Sequence, residues 1–129
     1  MFKVLIAEDE PLIRKGIIYC TDWARLNCGI PLEASNGEEA AEMIRQHRPD
    51  IVLLDVNMPL MDGLTAATNI RHLSNADSGT VPIIAMTANA FDDDIEKSKA
   101  AGMNAHLAKP IEPERMYQTL YDFIYGKEA

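Results

Sequence analysis

The run Ile51-Val52-Leu53-Leu54 sets four apolar residues in succession with no polar alternation, and Asp55 ends it. A strand of that composition is covered on both faces, the condition of a central strand in a parallel sheet. The carboxylate that terminates it then falls in the crevice beyond the strand ends, where open α/β sheets place their chemistry. Val56-Asn57-Met58-Pro59-Leu60-Met61-Asp62-Gly63 follows, and Pro59 and Gly63 break the chain before a helical stretch from Leu64 to Leu73.

Four other short strands are expected. Lys3-Val4-Leu5-Ile6-Ala7 stops at Glu8-Asp9-Glu10, and Pro11 opens a helix whose positive end suits those acidic residues. Leu12, Ile13, Gly16, Ile17 and Cys20 repeat at helical spacing as its inner stripe, with Arg14 and Lys15 on the other side. Pro31-Leu32-Glu33-Ala34 is a weak strand, after a loop around Asn27 to Gly29 that has no clear pattern. Ser35-Asn36-Gly37-Glu38-Glu39 has the composition of a turn and helix cap, and Ala40, Met43, Ile44 and His47 form the apolar stripe of a helix that ends before Pro49. Val81 to Met86 is a fourth strand, with Pro82 where it enters the sheet, and it ends at Thr87. Asp92-Asp93-Asp94 starts a weakly amphipathic helix that Gly102 stops. Ala105-His106-Leu107-Ala108 is the fifth strand, ending at Lys109-Pro110. Pro113 opens the last helix, with Met116, Leu120, Phe123 and Ile124 inward and Tyr117, Tyr121 and Tyr125 alongside.

Five strands alternating with five helices predict an α/β fold with a parallel sheet, and 129 residues at 47% hydrophobic suit one domain over 1–129. In such a sheet Glu8 and Asp9, Asp55, Thr87 and Lys109 all reach one edge. Composition narrows the rest. A net charge of −8 without clustered Lys and Arg argues against intrinsic nucleic-acid binding. No stretch approaches the ~20 apolar residues of a membrane span, and the start lacks the layout of a signal peptide, so a cytoplasmic location is expected. Cys20 and Cys28 lack metal-ligand spacing and are read as free thiols.

The residue types at that edge suggest a chemistry. Three carboxylates forced together repel, and their hard oxygens are the set that Mg²⁺ takes. A phosphoryl group at the site would be held by the cation on one side and by Lys109 and the Thr87 hydroxyl on the other, with Asp55 as nucleophile. Singly, Glu8 and Asp9 read as helix-start residues, Asp55 as a turn cap and Lys109 as a solvated charge. Their joint appearance at strand ends favours the functional reading.

Glu8-Asp9, Asp55 with Met58-Pro59 and Gly63, Thr87-Ala88 after an apolar strand, and Lys109-Pro110 together resemble the response-regulator receiver domain of bacterial two-component signalling, over essentially the whole chain. The resemblance implies a flavodoxin-like sheet in the order 2-1-3-4-5 and transfer of a phosphoryl group from a histidine kinase or phosphotransfer domain to Asp55. It implies Mg²⁺, with Mn²⁺ as a substitute, on Asp9, Asp55 and the backbone carbonyl of Asn57, with Glu8 near the metal. It further implies phosphoryl contacts from Thr87 and Lys109, a cis Lys109-Pro110 bond, later hydrolysis by water, and an output reached by a conformational switch. Such a domain assists its own phosphorylation and dephosphorylation and is otherwise no enzyme.

Two positions depart from the commonest pattern: Glu8 stands for Asp, and His106 stands where many members carry Tyr or Phe as a switch partner of Thr87. The second half, with Thr87-Ala88-Asn89-Ala90 and Ala101-Gly102-Met103-Asn104, looks most like receivers of hybrid sensor kinases. A homodimer through the fourth helix, fifth strand and fifth helix is the family's frequent use of that face, and the three tyrosines suit either an interface or a partly buried flank. Rival readings are a flavodoxin, which needs a phosphate-cradling Gly/Ser/Thr loop where Glu8-Asp9-Glu10 stands, and an aspartyl phosphatase, which resembles Asp-x-Asp where Asp55-Val56-Asn57 stands. A receiver-like binding module that is never phosphorylated is the third.

Overall fold

The computed structural model describes residues 2–55, 67–68, 81–87, 96, 99–109 and 111–125. Its strands are β1 (Val4–Ala7), β2 (Leu32–Ala34), β3 (Ile51–Asp55), β4 (Ile83–Thr87) and β5 (Ala105–Ala108). They form one parallel sheet in the order β2-β1-β3-β4-β5. Helices α1 (Pro11–Cys20) and α2 (Gly37–His47) and the last helix, Pro113–Tyr125, join them. The expected third helix and the start of the fourth lie outside the described residues, apart from helical Ala67, Thr68, Glu96, Lys99 and Ala100. No helix among the described residues is long and apolar enough to cross a membrane.

Period-two alternation splits every central strand between two cores. Leu5, Ala7, Val52, Leu54, Ile83 and Ala85 pack on the α2 side with Ala40 and Ile44. Val4, Ile6, Ile51, Leu53, Ile84 and Met86 pack on the other side with Ile17, Leu107, Met116 and Leu120. That is why β3 tolerates no polar residue before Asp55: both its faces are covered. The order reverses between β1 and β3, whose Ala7 and Leu54 lie opposite each other, so the crevice beyond those two strands is the switch point of the fold.

Local signals act as expected at several joints. Pro11 takes the first position of α1. Asn36 caps α2 by accepting from the Glu39 N–H at 2.9 Å, while Glu39 Oε1 accepts from the Ser35 N–H at 2.9 Å, a displaced capping box. Arg48 closes α2 at φ 48°, and Pro49 prevents its continuation. The Pro82 carbonyl accepts from the Val52 N–H at 2.9 Å, so the proline joins the ladder through its acceptor. Gly102, at φ 98°, donates back to the Lys99 carbonyl at 3.0 Å and makes the helix stop.

Helix α1 is rotated from the expected stripe. Leu12 is 87% exposed, and Ile13, Gly16 and Cys20 are exposed, whereas Ile17 is buried and Arg14 is drawn inward. With Leu12, Ile13, Ile17, Ile18 and Tyr19 distributed around the helix, periodicity does not choose a face, and tertiary contacts of Arg14 do. His47 is likewise exposed, beyond the end of the α2 stripe. The patternless loop before β2 is packed: Trp23, Leu26 and Cys28 are buried, and the Trp23 indole N–H donates to the Ile18 carbonyl at 2.9 Å. Tyr117 and Tyr125 face this segment, with Arg25 over the Tyr117 ring and the Tyr125 hydroxyl donating to the Leu26 carbonyl at 2.6 Å, while the exposed Tyr121 ring lies against that of Tyr125. Cys20 and Cys28 are free thiols.

Candidate functional site

The parallel sheet brings the strand-end residues together. Glu8 follows β1 directly, its N–H donating to the Ala34 carbonyl of β2 at 3.0 Å, and its side chain is fully buried. Asp55 ends β3 at 2% exposure. Asp9 is half-buried, and carboxylate oxygens of Glu8, Asp9 and Asp55 lie within 4.8 Å of one another. Lys109 is fixed beside β4, because its N–H donates to the Thr87 carbonyl at 2.8 Å and so extends the ladder one residue past β5. Its ammonium stands 2.9 Å from Glu8 Oε1 and 3.2 Å from Asp55 Oδ1. Thr87 ends β4, buried, opposite Ala108.

One ammonium thus meets two of the three clustered carboxylates. Burial raises the Glu8 carboxyl to about 7, against the opposing pull of Lys109 and of the Glu10 N–H, which donates to Glu8 Oε2 at 3.1 Å; the nearby Asp55 charge adds to the rise. Burial pulls the Lys109 ammonium down, but Glu8 and Asp55 outweigh it and leave Lys109 above its usual range. Glu8 Oε1 is paired with the Lys109 ammonium, yet one ammonium does not balance three clustered carboxylates. An all-oxygen donor set with surplus negative charge fits a small hard dication of the Mg²⁺ type. The set lacks the nitrogen and sulfur ligands that would favour zinc.

Sequence reasoning missed Arg14 and Glu33. Arg14, expected in solvent, donates through Nη1 to the Glu8 carbonyl at 2.6 Å and through Nε to Glu33 Oε1 at 2.7 Å. Lys15 reaches Glu33 Oε2 at 2.8 Å. These two cations hold the Glu33 carboxyl below the usual carboxylate range. The signal present in the sequence was a cation one turn into the helix that follows an acidic loop.

His106 sits on β5 opposite Ala85, on the sheet face away from its neighbours Ala105 and Leu107, and its Nε2 is buried without a hydrogen-bond partner among the described residues. Asn57, Met58, Pro59, Gly63, Ala88, Asn89 and Pro110 lie outside the described residues, and with them the expected carbonyl ligand and the cis bond. Beside the site an apolar groove of about 570 Å³ runs along α1, lined by Ile13, Gly16, Ile17, Cys20, Ile111 and Pro113, with Lys109 at its wall.

Comparison with known proteins agrees with this geometry. Residues 4–121 match the family described as response regulator receiver domain. The transcriptional regulatory protein PdtaR of Mycobacterium tuberculosis is 40% identical over 109 residues, 84% of this chain and 50% of that protein. The histidine-protein kinase BarA of Escherichia coli is 41% identical over 91 residues, 70% of this chain and 10% of the kinase. The chain therefore spans about half the length, or less, of these curated relatives. Among solved structures, the receiver domain of the sensor histidine kinase PA1611 from Pseudomonas aeruginosa, with a magnesium ion coordinated in its active site cleft, aligns with a TM-score of 0.84 at 32% identity, covering 97% of this chain and 98% of that one. The receiver domain of AraT, a response regulator from Geobacillus stearothermophilus, gives the same TM-score and identity over 96% and 93%. With the sheet order, the acidic cluster and Lys109 in place, the chain belongs to the response regulator receiver domain family.

Proposed function

We propose that the chain is a phosphoacceptor that takes a phosphoryl group from a phosphohistidine of a histidine kinase or phosphotransfer domain onto Asp55 and passes the change to an output. The observation that carries this reading is the placement of Asp55: a carboxylate at the end of the central strand, grouped with Glu8 and Asp9 and 3.2 Å from Lys109.

Asp9, Asp55 and the Asn57 carbonyl would hold Mg²⁺, with Glu8 nearby, and Mn²⁺ would suit the same donors. The cation, when bound, neutralises charge that would otherwise repel an incoming phosphoryl group. An Asp55 carboxylate oxygen attacks phosphorus, the bond from phosphorus to the donor imidazole breaks, and the departing imidazole keeps the electron pair and takes a proton. The Lys109 ammonium moves from its Asp55 contact to a phosphoryl oxygen, and the Thr87 hydroxyl donates to another. Water later cleaves the acyl phosphate. Because the acceptor is a residue of the chain, the domain assists its own modification and acts on no separate substrate. His106 serves as the switch partner of Thr87. A His106→Ala variant whose partner binding depends on phosphorylation as in wild type would remove that assignment. The apolar groove beside Lys109 offers the donor protein a contact surface next to the crevice, and the reading places the reaction in the cytoplasm.

The test is intact mass after incubation with a small-molecule phosphodonor. One phosphoryl adduct is expected with Mg²⁺, and none in its absence or in Asp55→Asn. A folded, Mg²⁺-binding protein that gains no adduct would overturn the reading in favour of an unphosphorylated binding module.

A further inference from the structure

Asp9 and Glu8 belong to a loop, and a metal site is only as exact as the backbone that carries its ligands. The carbonyl of Glu8 is part of the peptide that joins Glu8 to Asp9, so whatever fixes that carbonyl fixes the plane from which Asp9 departs. Arg14 is the group that does so, at 2.6 Å from Nη1, with its side chain only 15% exposed. The other side of Glu8 is tied by β2, through the bond from its N–H to the Ala34 carbonyl. Glu8 is thus clamped at both of its peptide groups, one by the sheet and one by α1.

The guanidinium is itself held. Its Nε donates to Glu33 Oε1 at 2.7 Å, from the strand residue next to Ala34, so the same strand secures both halves of the clamp. Lys15 neutralises the second oxygen of Glu33 from the solvent side. A planar fork with several fixed donors suits a position between two acceptors, whereas a lysine ammonium is a compact charge on a flexible stem. Resting on the metal-dependent reading above, we propose that Arg14 is a positioning residue for the cation site, setting the Glu8–Asp9 peptide, and that Glu33 keeps Arg14 in place.

Charge and positioning act in opposite directions here, which makes the inference testable. A positive charge near the carboxylates opposes cation binding, so simple removal of that charge would tighten Mg²⁺. Loss of the clamp would weaken it. Arg14→Lys keeps the charge and loses the fork; Glu33→Ala frees Arg14 but also removes a negative charge, so it is read against Glu33→Gln, which has the same charge and keeps an acceptor for Nε. Arg14→Lys and Glu33→Ala are both expected to raise the Mg²⁺ dissociation constant about tenfold by calorimetry at fixed pH, the lower end of what outer-shell support of metal ligands is worth. In phosphorylation by a small phosphodonor, both should raise the Mg²⁺ concentration for half-maximal rate while the rate at saturating Mg²⁺ stays near wild type. Glu33→Gln should fall between wild type and these two. A merely structural role would lower the melting temperature and leave Mg²⁺ affinity of the folded protein unchanged, and that result overturns the inference alone. A wild-type protein that binds no Mg²⁺ would overturn the metal reading and this inference with it.

Discussion

Replacing Glu8 with Gln should flatten the pH dependence of this domain's stability. In the metal-free fold the Glu8 carboxyl is fully buried and raised from 4.5 to about 7, chiefly by burial. An acid whose folded value lies above its unfolded value favours the folded state while protonated. The contribution is therefore fully present below about pH 4.5 and is lost as pH rises through about 7, because over that window the folded state binds the extra proton. At 1.36 kcal/mol per unit the rise corresponds to about 3 kcal/mol, or roughly 10 °C in melting temperature for a domain of this size. Other groups titrate over the same range, so the quantity to measure is the difference between wild type and Glu8→Gln. Urea unfolding without metal at four values between pH 4.5 and 7.5 would give it. Wild type should lose about 3 kcal/mol relative to the variant across the window. Excess Mg²⁺ should stabilise wild type more at pH 7.5 than at pH 5, since a cation on this site favours the ionised carboxylates. A difference that stays constant within about 1 kcal/mol would mean that Glu8 does not hold a proton in the fold and would refute the electrostatic description of the crevice.

Three further outcomes are expected in unfolding experiments. Gly16→Ala should stabilise the protein by about 0.5–1 kcal/mol, because a Cβ there meets no atom within 4 Å and mid-helix glycine is costly; a loss of stability would contradict the exposed placement of that position. Tyr125→Phe should cost about 1 kcal/mol by removing the 2.6 Å bond to the Leu26 carbonyl. Leu54→Ala, at a fully buried position of the central strand, should cost about 2–5 kcal/mol, and a cost below that range would mean the cavity collapses.

Glu8, Asp9, Asp55, Thr87 and Lys109 were legible because strand ends in a parallel sheet share one edge, so placing the strands places the residues. The apolar runs that mark those strands are buried on both faces and leave little choice of register. Helix α1 was less legible. Its apolar residues occur on nearly every side, and its rotation is decided by Arg14 meeting Glu33, a contact nineteen residues apart in sequence. Periodicity within ten residues carries no trace of such a pair, and so the clamp on the Glu8 carbonyl went unseen together with the exposure of Leu12 and Ile13. The burial of Trp23, Leu26 and Cys28 was hidden for another reason: a short 3-10 turn at Ala24–Leu26 followed by Asn27 at φ 59° has no repeat for a pattern to follow. His47 shows the reverse error, an apolar-stripe position that falls past the edge of the surface it would pack on.

The most direct measurement of the central claim is chemical mapping of the acceptor. Protein treated with a small phosphodonor and Mg²⁺ is reduced with borohydride, which converts an aspartyl phosphate to homoserine, then digested and sequenced by mass spectrometry. Homoserine at position 55, absent without Mg²⁺, is the predicted result. Homoserine at Asp9 or another carboxylate, or none in a protein shown to be folded and to bind Mg²⁺, would contradict the account.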